Sequence, residues 1–157
     1  MLFSKKVMIH EVEGFVEDIC DEFNIFNSYF GNILLCVTEA FQNALVHGNK
    51  EDEKKRIKIT FESLPLGLYF RIEDEGDGFN YEPYLQKEYF PEEGDNRNGL
   101  FLIKSLSDEL HFYNDGRCIE IVFYISSINL DKLIDRVKNL DDYFKKSSVE
   151  NITKKEQ

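Results

Sequence analysis

The stretch Ile57-Lys-Ile-Thr-Phe-Glu-Ser-Leu-Pro65-Leu-Gly67-Leu-Tyr-Phe-Arg-Ile-Glu73 alternates apolar and polar side chains on either side of a proline–glycine turn. Ile57, Ile59 and Phe61 fall on one face, against Lys58, Thr60 and Glu62. Leu68, Phe70 and Ile72 repeat the pattern against Tyr69, Arg71 and Glu73. A period of two is that of a half-buried strand, so the segment predicts an antiparallel hairpin. Upstream the period is helical: Val7 to Phe23 and Phe30 to His47 carry apolar residues three and four apart, and Gly48-Asn49 supplies a stop. The first few residues are open to a second reading as a short edge strand. Downstream, Gly99 to Leu106 predicts a helix, and Leu110 to Tyr113 with Cys118 to Ile125 a second hairpin turned at Asn114-Asp115-Gly116. Asn129 to Phe144 predicts a last helix with Leu130, Leu133, Ile134, Val137 and Leu140 as its apolar stripe. Hairpins rather than strand–helix–strand crossovers predict an α+β fold, a two-layer sandwich whose mixed, largely antiparallel sheet has helices on one face. A Rossmann fold is excluded by the missing glycine fingerprint, and a Walker A loop by the missing glycine before Lys104.

The chain has 157 residues, 42% hydrophobic and 31% charged, enough for one globular domain without disulfide staples. Its formal charge of −11 argues against nucleic acid and anionic membranes as partners. Nine acids against Lys87 between Glu73 and Asp95 give that segment a net −8. Cys20, Cys36 and Cys118 are too scattered for a zinc site or a disulfide framework. With no apolar leader and no spanning stretch, the expected location is the cytoplasm.

Three segments can carry chemistry. Glu39, Asn43 and His47 recur every four residues and share one helix face. They read either as a solvated stripe or as a carboxylate and an amide able to serve a hard cation and a general base. His47 also suits a helix cap. Asp74-Glu-Gly76-Asp-Gly78-Phe79 places an acid at a strand end before two alternate glycines. It reads as an ordinary turn, or as a loop that lets another molecule approach while Asp74 accepts a hydrogen bond from an exocyclic amine. Arg97-Asn98-Gly99-Leu100 delivers glycine to a helix start, either as a plain cap or as an anion site where Arg97 grips a terminal phosphate.

Taken in this order, Glu39 to Asn49, Asp74 to Phe79 and Gly99 to Glu109 resemble the N box and the two glycine boxes of the GHKL (histidine kinase-like) ATPase superfamily, within it the anti-sigma factor serine/threonine kinases. The resemblance covers about Val7 to Ile125. It implies a Bergerat-type sandwich over residues 1–128 that binds Mg·ATP under a lid formed by Tyr81 to Asn96, followed by a helical extension with a frayed tail over 129–157. It implies that Asn43 ligates Mg²⁺, that Glu39 acts as base on a substrate serine hydroxyl and that Arg97 neutralises phosphate charge. Asp74 would read adenine, and His47, Gly76, Gly78, Phe79, Asn98, Gly99 and Leu100 would complete the nucleotide site. The implied partners are a sigma factor and the antagonist protein that is phosphorylated. The extension is open to packing or to homodimer contact. Asp95 and Arg97 also motivate a second reading, a nucleotide-dependent protein-binding switch without phosphotransfer. No helix with a phospho-accepting histidine precedes the boxes, as a histidine-kinase fragment would require.

Overall fold

The structure is a computed structural model that describes residues 2–3, 9–25, 27–86, 98–124 and 137–146, the side chains of 2, 3, 27, 28 and 98 excepted. Residues 1–124 and 125–157 form two separate units. In the first, β1 (Leu2–Phe3) precedes α1 (Ile9–Glu22) and α2 (Asn27–Asn43), which continues through a five-residue π turn, Ala44–Gly48. The hairpin β2 (Ile57–Leu64) and β3 (Gly67–Glu73) follows, then a short 3-10 turn at Glu82–Leu85, α3 (Asn98–Leu106), and the hairpin β4 (Glu109–Tyr113) and β5 (Cys118–Tyr124).

The five strands lie in the order β1-β2-β3-β5-β4, and every neighbouring pair is antiparallel. The mixed sheet expected from sequence therefore narrows to an antiparallel one among the described residues. Leu64 pairs Gly67 across the two-residue Pro65-Leu66 turn, which fixes the register so that Phe61, Phe70 and Ile121 line up on one face. Against that face α2 buries Ile33, Cys36, Val37, Ala40, Phe41 and Ala44, a stripe at helical spacing. On α2 lean α1, through Val12, Val16, Ile19 and Cys20, and α3, through Leu100 and Ile103. Phe61 and Phe70 meet at 5.2 Å and Phe70 and Phe123 at 6.2 Å, so aromatic packing runs across three strands.

The opposite face carries Tyr69, Arg71 and Glu73 on β3, and on the neighbouring interior strand β5 the buried Cys118, Glu120 and Val122. Glu120 is 4% exposed there, and Arg71 Nε donates to its carboxylate at 2.5 Å from the neighbouring strand. The cross-strand register Arg71↔Glu120 places the two side chains side by side.

In the second unit, residues 137–146 form a helix that leaves Val137, Leu140, Tyr143 and Phe144 exposed. Residues 129–136 of the expected helix lie outside the described residues. No described helix is long and apolar enough to cross a membrane.

Candidate functional site

The end of α2 is where the helix changes pitch. The Asn49 N–H donates to Ala44 O at 2.8 Å, a five-residue span that widens the last turn. Asn49 itself is 1% exposed and ties three segments together. Its Nδ2 donates to Arg56 O at 2.9 Å, and its Oδ1 accepts the Glu75 N–H at 2.8 Å. Glu75 in turn accepts the Arg56 N–H at 2.6 Å. The widened turn and the loop after β3 are thereby held against each other, which brings Gly48 beside Asp74: a Cβ on Gly48 would collide with the Asp74 carboxylate.

Asp74 stands where β3 ends. Its N–H donates to Arg117 O at 2.9 Å, and its Oδ1 accepts the Gly76 N–H at 2.8 Å, so the carboxylate is oriented by its own loop. Gly76 packs against the Gly48 carbonyl, and Gly78 takes a φ of 78° beside Asp115 O. Only glycine adopts that angle without strain while leaving space for the neighbouring backbone. Phe79 then donates its N–H to Asp115 O at 2.9 Å, and its ring joins Tyr81, Tyr84 and Phe112. Tyr81 stacks on Phe112 at 4.8 Å and 17°.

Between these elements lies a small, half-open cleft. Its walls are apolar, from Ala40, Ala44, Ile72, Leu100, Phe112 and Ile119, with Phe79 and Gly116 beside them. Asn43, Asp74 and Arg117 are its polar lining. A narrow apolar slot with a few polar groups suits a flat heteroaromatic ring held by its edge.

At the far end, α3 begins against α2. A Cβ on Gly99 would collide with Glu39 Oε2 and stand 3.4 Å from Asn43 Nδ2, so the carboxylate and the amide sit directly at the start of α3. Asn43 Nδ2 is buried and has no hydrogen-bond partner. A buried amide without a partner is costly unless a ligand completes it, and the two ends of the amide are interchangeable by rotation. An oxygen from Asn43 and one from Glu39 are the donor type a hard divalent cation prefers. Burial, with Glu39 adding to it, pushes the Cys36 thiol up to about 12, so it stays protonated beside this pair.

The structure thus brings together Glu39, Asn43 and Gly99 at one end, and Asp74, Gly76, Gly78 and Phe79 at the other, with Leu100 on the wall between. Asn98 opens α3. His47 is half-buried on the π turn and is not among the residues lining the cleft. Arg97 and residues 87–96 of the expected lid lie outside the described residues. Sequence reasoning missed Asn49, Phe112 and Arg117. The inward alternation of β4 carries a signal for Phe112, and Asn49 sits inside the first motif. Nothing local marks Arg117, which reaches the cleft only through the turn before β5.

The family described as the histidine kinase-like ATPase domain matches residues 4–123. Over 113 residues the chain is 34% identical to proteins named serine-protein kinase RsbW from the Staphylococcus aureus strains MSSA476, MW2 and JH9, a span covering 66% of this chain and 71% of each relative. With the three motifs converging on one cleft and the family match running from α1 through to β5, the chain belongs to the histidine kinase-like ATPase family, and the relatives named above are serine-protein kinases.

Proposed function

We propose that this protein binds Mg·ATP in the cleft and transfers the γ-phosphoryl group to a serine of an antagonist protein, and that it also binds a sigma factor in the cytoplasm. ATP binding follows from the family, and the serine-protein kinases among the relatives support the transfer. The observation that carries the reading is the buried, unpartnered Nδ2 of Asn43 beside Glu39, both closed against Gly99 at the start of α3. In this reading Asp74 accepts a hydrogen bond from the adenine amine, and the α3 N-terminus faces the phosphates, where its backbone N–H groups favour negative charge. Asn43 would hold Mg²⁺, which when bound neutralises phosphate charge. Glu39 takes the proton of the serine hydroxyl as its Oγ bonds to the γ-phosphorus and the bond to the ADP oxygen breaks. Such a transfer rests mainly on positioning and charge neutralisation. Arg97 supplies a cation in the same reading.

The test is calorimetric titration of ATP and ADP, with and without Mg²⁺, into wild type and Asp74→Asn, followed by labelled-ATP transfer to the partner with wild type and Glu39→Gln. Binding lost in Asp74→Asn, and transfer lost in Glu39→Gln with binding kept, are the expected results. Wild type that binds no nucleotide would sink the proposal. The carboxylate Asp95, two residues before Arg97, favours a second reading in which nucleotide only sets a conformation for a protein partner. Tight ATP binding with no label transferred would select it.

A further inference from the structure

The geometry points to Arg117 as the residue that clamps the nucleotide base and sets its affinity, a role that rests on the nucleotide reading above. Three observations place it. Its carbonyl accepts the Asp74 N–H at 2.9 Å, so it belongs to the part of the cleft where Asp74 stands. Among the described residues it is the cationic residue in the lining of the cleft. Its guanidinium is also oriented, because Nε donates to Asn114 O at 2.9 Å while its own N–H donates to the same carbonyl at 3.1 Å.

The backbone that achieves this is strained. Asn114, Asp115 and Gly116 follow one another with φ of 55°, 57° and 88°. Two consecutive non-glycine residues in that region are unfavourable and persist only where the surroundings over-determine them. Here they do: Asn114 Nδ2 donates to Glu73 Oε1 at 3.1 Å, Asp115 O accepts the Phe79 N–H at 2.9 Å, and Gly116 lies against the Phe79 ring. The strained turn therefore holds Arg117 in the lining of the cleft whose apolar floor is Ile72, Leu100 and Ile119. A purine edge-bound to Asp74 on that floor leaves its outer face to water unless a planar group covers it. A guanidinium is planar and weakly hydrated and stacks flat on an aromatic ring, whereas an ammonium meets the ring as a compact, strongly hydrated point charge that covers little of it.

The experiment is titration of ATP and ADP, in Mg²⁺ and at two salt concentrations, into wild type, Arg117→Ala and Arg117→Lys, with thermal unfolding as the check on folding. Arg117→Ala should weaken ATP and ADP by the same factor, about fivefold to tenfold, because both carry the same base. Arg117→Lys should not restore it, since charge without the planar fork does not cover a ring. Unchanged affinity in folded Arg117→Ala, a loss confined to ATP, or full rescue by lysine would each overturn the clamp. Wild type that binds neither nucleotide would overturn the nucleotide reading itself, and the clamp with it. That outcome is distinct from normal wild-type binding that is indifferent to Arg117.

Discussion

Gly99 at the start of α3 occupies the space directly against the Glu39 carboxylate of α2, so the distance between the two helices there is set by the absence of a side chain. Gly99→Ala separates stability from chemistry. The atom it would strike is the far end of a flexible glutamate, which can swing aside, and alanine improves helix propensity by about 0.5–1 kcal/mol. The variant should unfold within about 1 kcal/mol of wild type while transfer to the partner falls by roughly tenfold or more, since a displaced base loses its geometry. Urea unfolding and labelled-ATP transfer on the same preparation check both halves.

Gly76 and Gly31 should respond in opposite directions to alanine. A Cβ on Gly76 meets the Gly48 backbone carbonyl, which cannot yield without moving the π turn, whereas a Cβ on Gly31 meets nothing within 4 Å. Gly76→Ala should cost about 2–3 kcal/mol and weaken nucleotide binding. Gly31→Ala, on the surface of α2, should gain about 0.5–1 kcal/mol. Paired thermal melts decide it.

Asn49 ties the π turn to the loops at Arg56 and Glu75, and Asn49→Ala would leave Arg56 O and the Glu75 N–H without their partner. The expected loss is about 1–3 kcal/mol, for two partly buried groups left unsatisfied. Asn49→Asp keeps an acceptor for the Glu75 N–H but sets a carboxylate against Arg56 O, so it should rescue only in part. Hydrogen exchange at Glu75 reports which bond has gone.

The pair Arg71 and Glu120 should behave as a buried ion pair despite the half-exposed arginine. Arg71→Met strands the Glu120 carboxylate in the sheet and should cost about 3 kcal/mol, and a second change, Glu120→Leu, should recover much of it. Equal stability of wild type and Arg71→Met would refute the account.

The buried thiols make stability alkali-sensitive. Burial raises Cys20 and Cys118 to about 11 and Cys36 to about 12, from an ordinary 9.0. In the folded protein they stay protonated where the unfolded chain has already released the proton, so their contribution is complete below about pH 9 and is lost as pH rises towards 11–12. The slope should approach about 1.4 kcal/mol per pH unit for each thiol. Urea unfolding under reductant between pH 8 and about pH 10.5 should show it, and Cys36→Ala should lower the slope by one thiol's share while Cys20 and Cys118 keep the rest.

The sheet and its helices were legible in sequence because each obeys a local period. The two-residue alternation at Ile57–Glu73 and the three-and-four spacing along α2 are backbone geometry written into side-chain choice, and the observed elements follow them to within a few residues. The motif residues Glu39, Asn43, Asp74 and Gly99 were legible as chemistry, each open locally to a blander reading. What sequence could not supply is what depends on the approach of remote backbones. The π turn at Ala44–Gly48 is held by Asn49 reaching across to Arg56 and Glu75, contacts spanning 7 and 26 residues. Arg117 enters the cleft because three left-handed residues are pinned by Glu73 and Phe79, 35 or more positions away in the chain. Glu120 is buried because β5 lies between β3 and β4, a consequence of strand order rather than of its neighbours in sequence. Periodicity is a property of consecutive residues and can be read from them. Closure of a site is a property of surfaces that meet only when the chain has folded, and tertiary packing alone determines it.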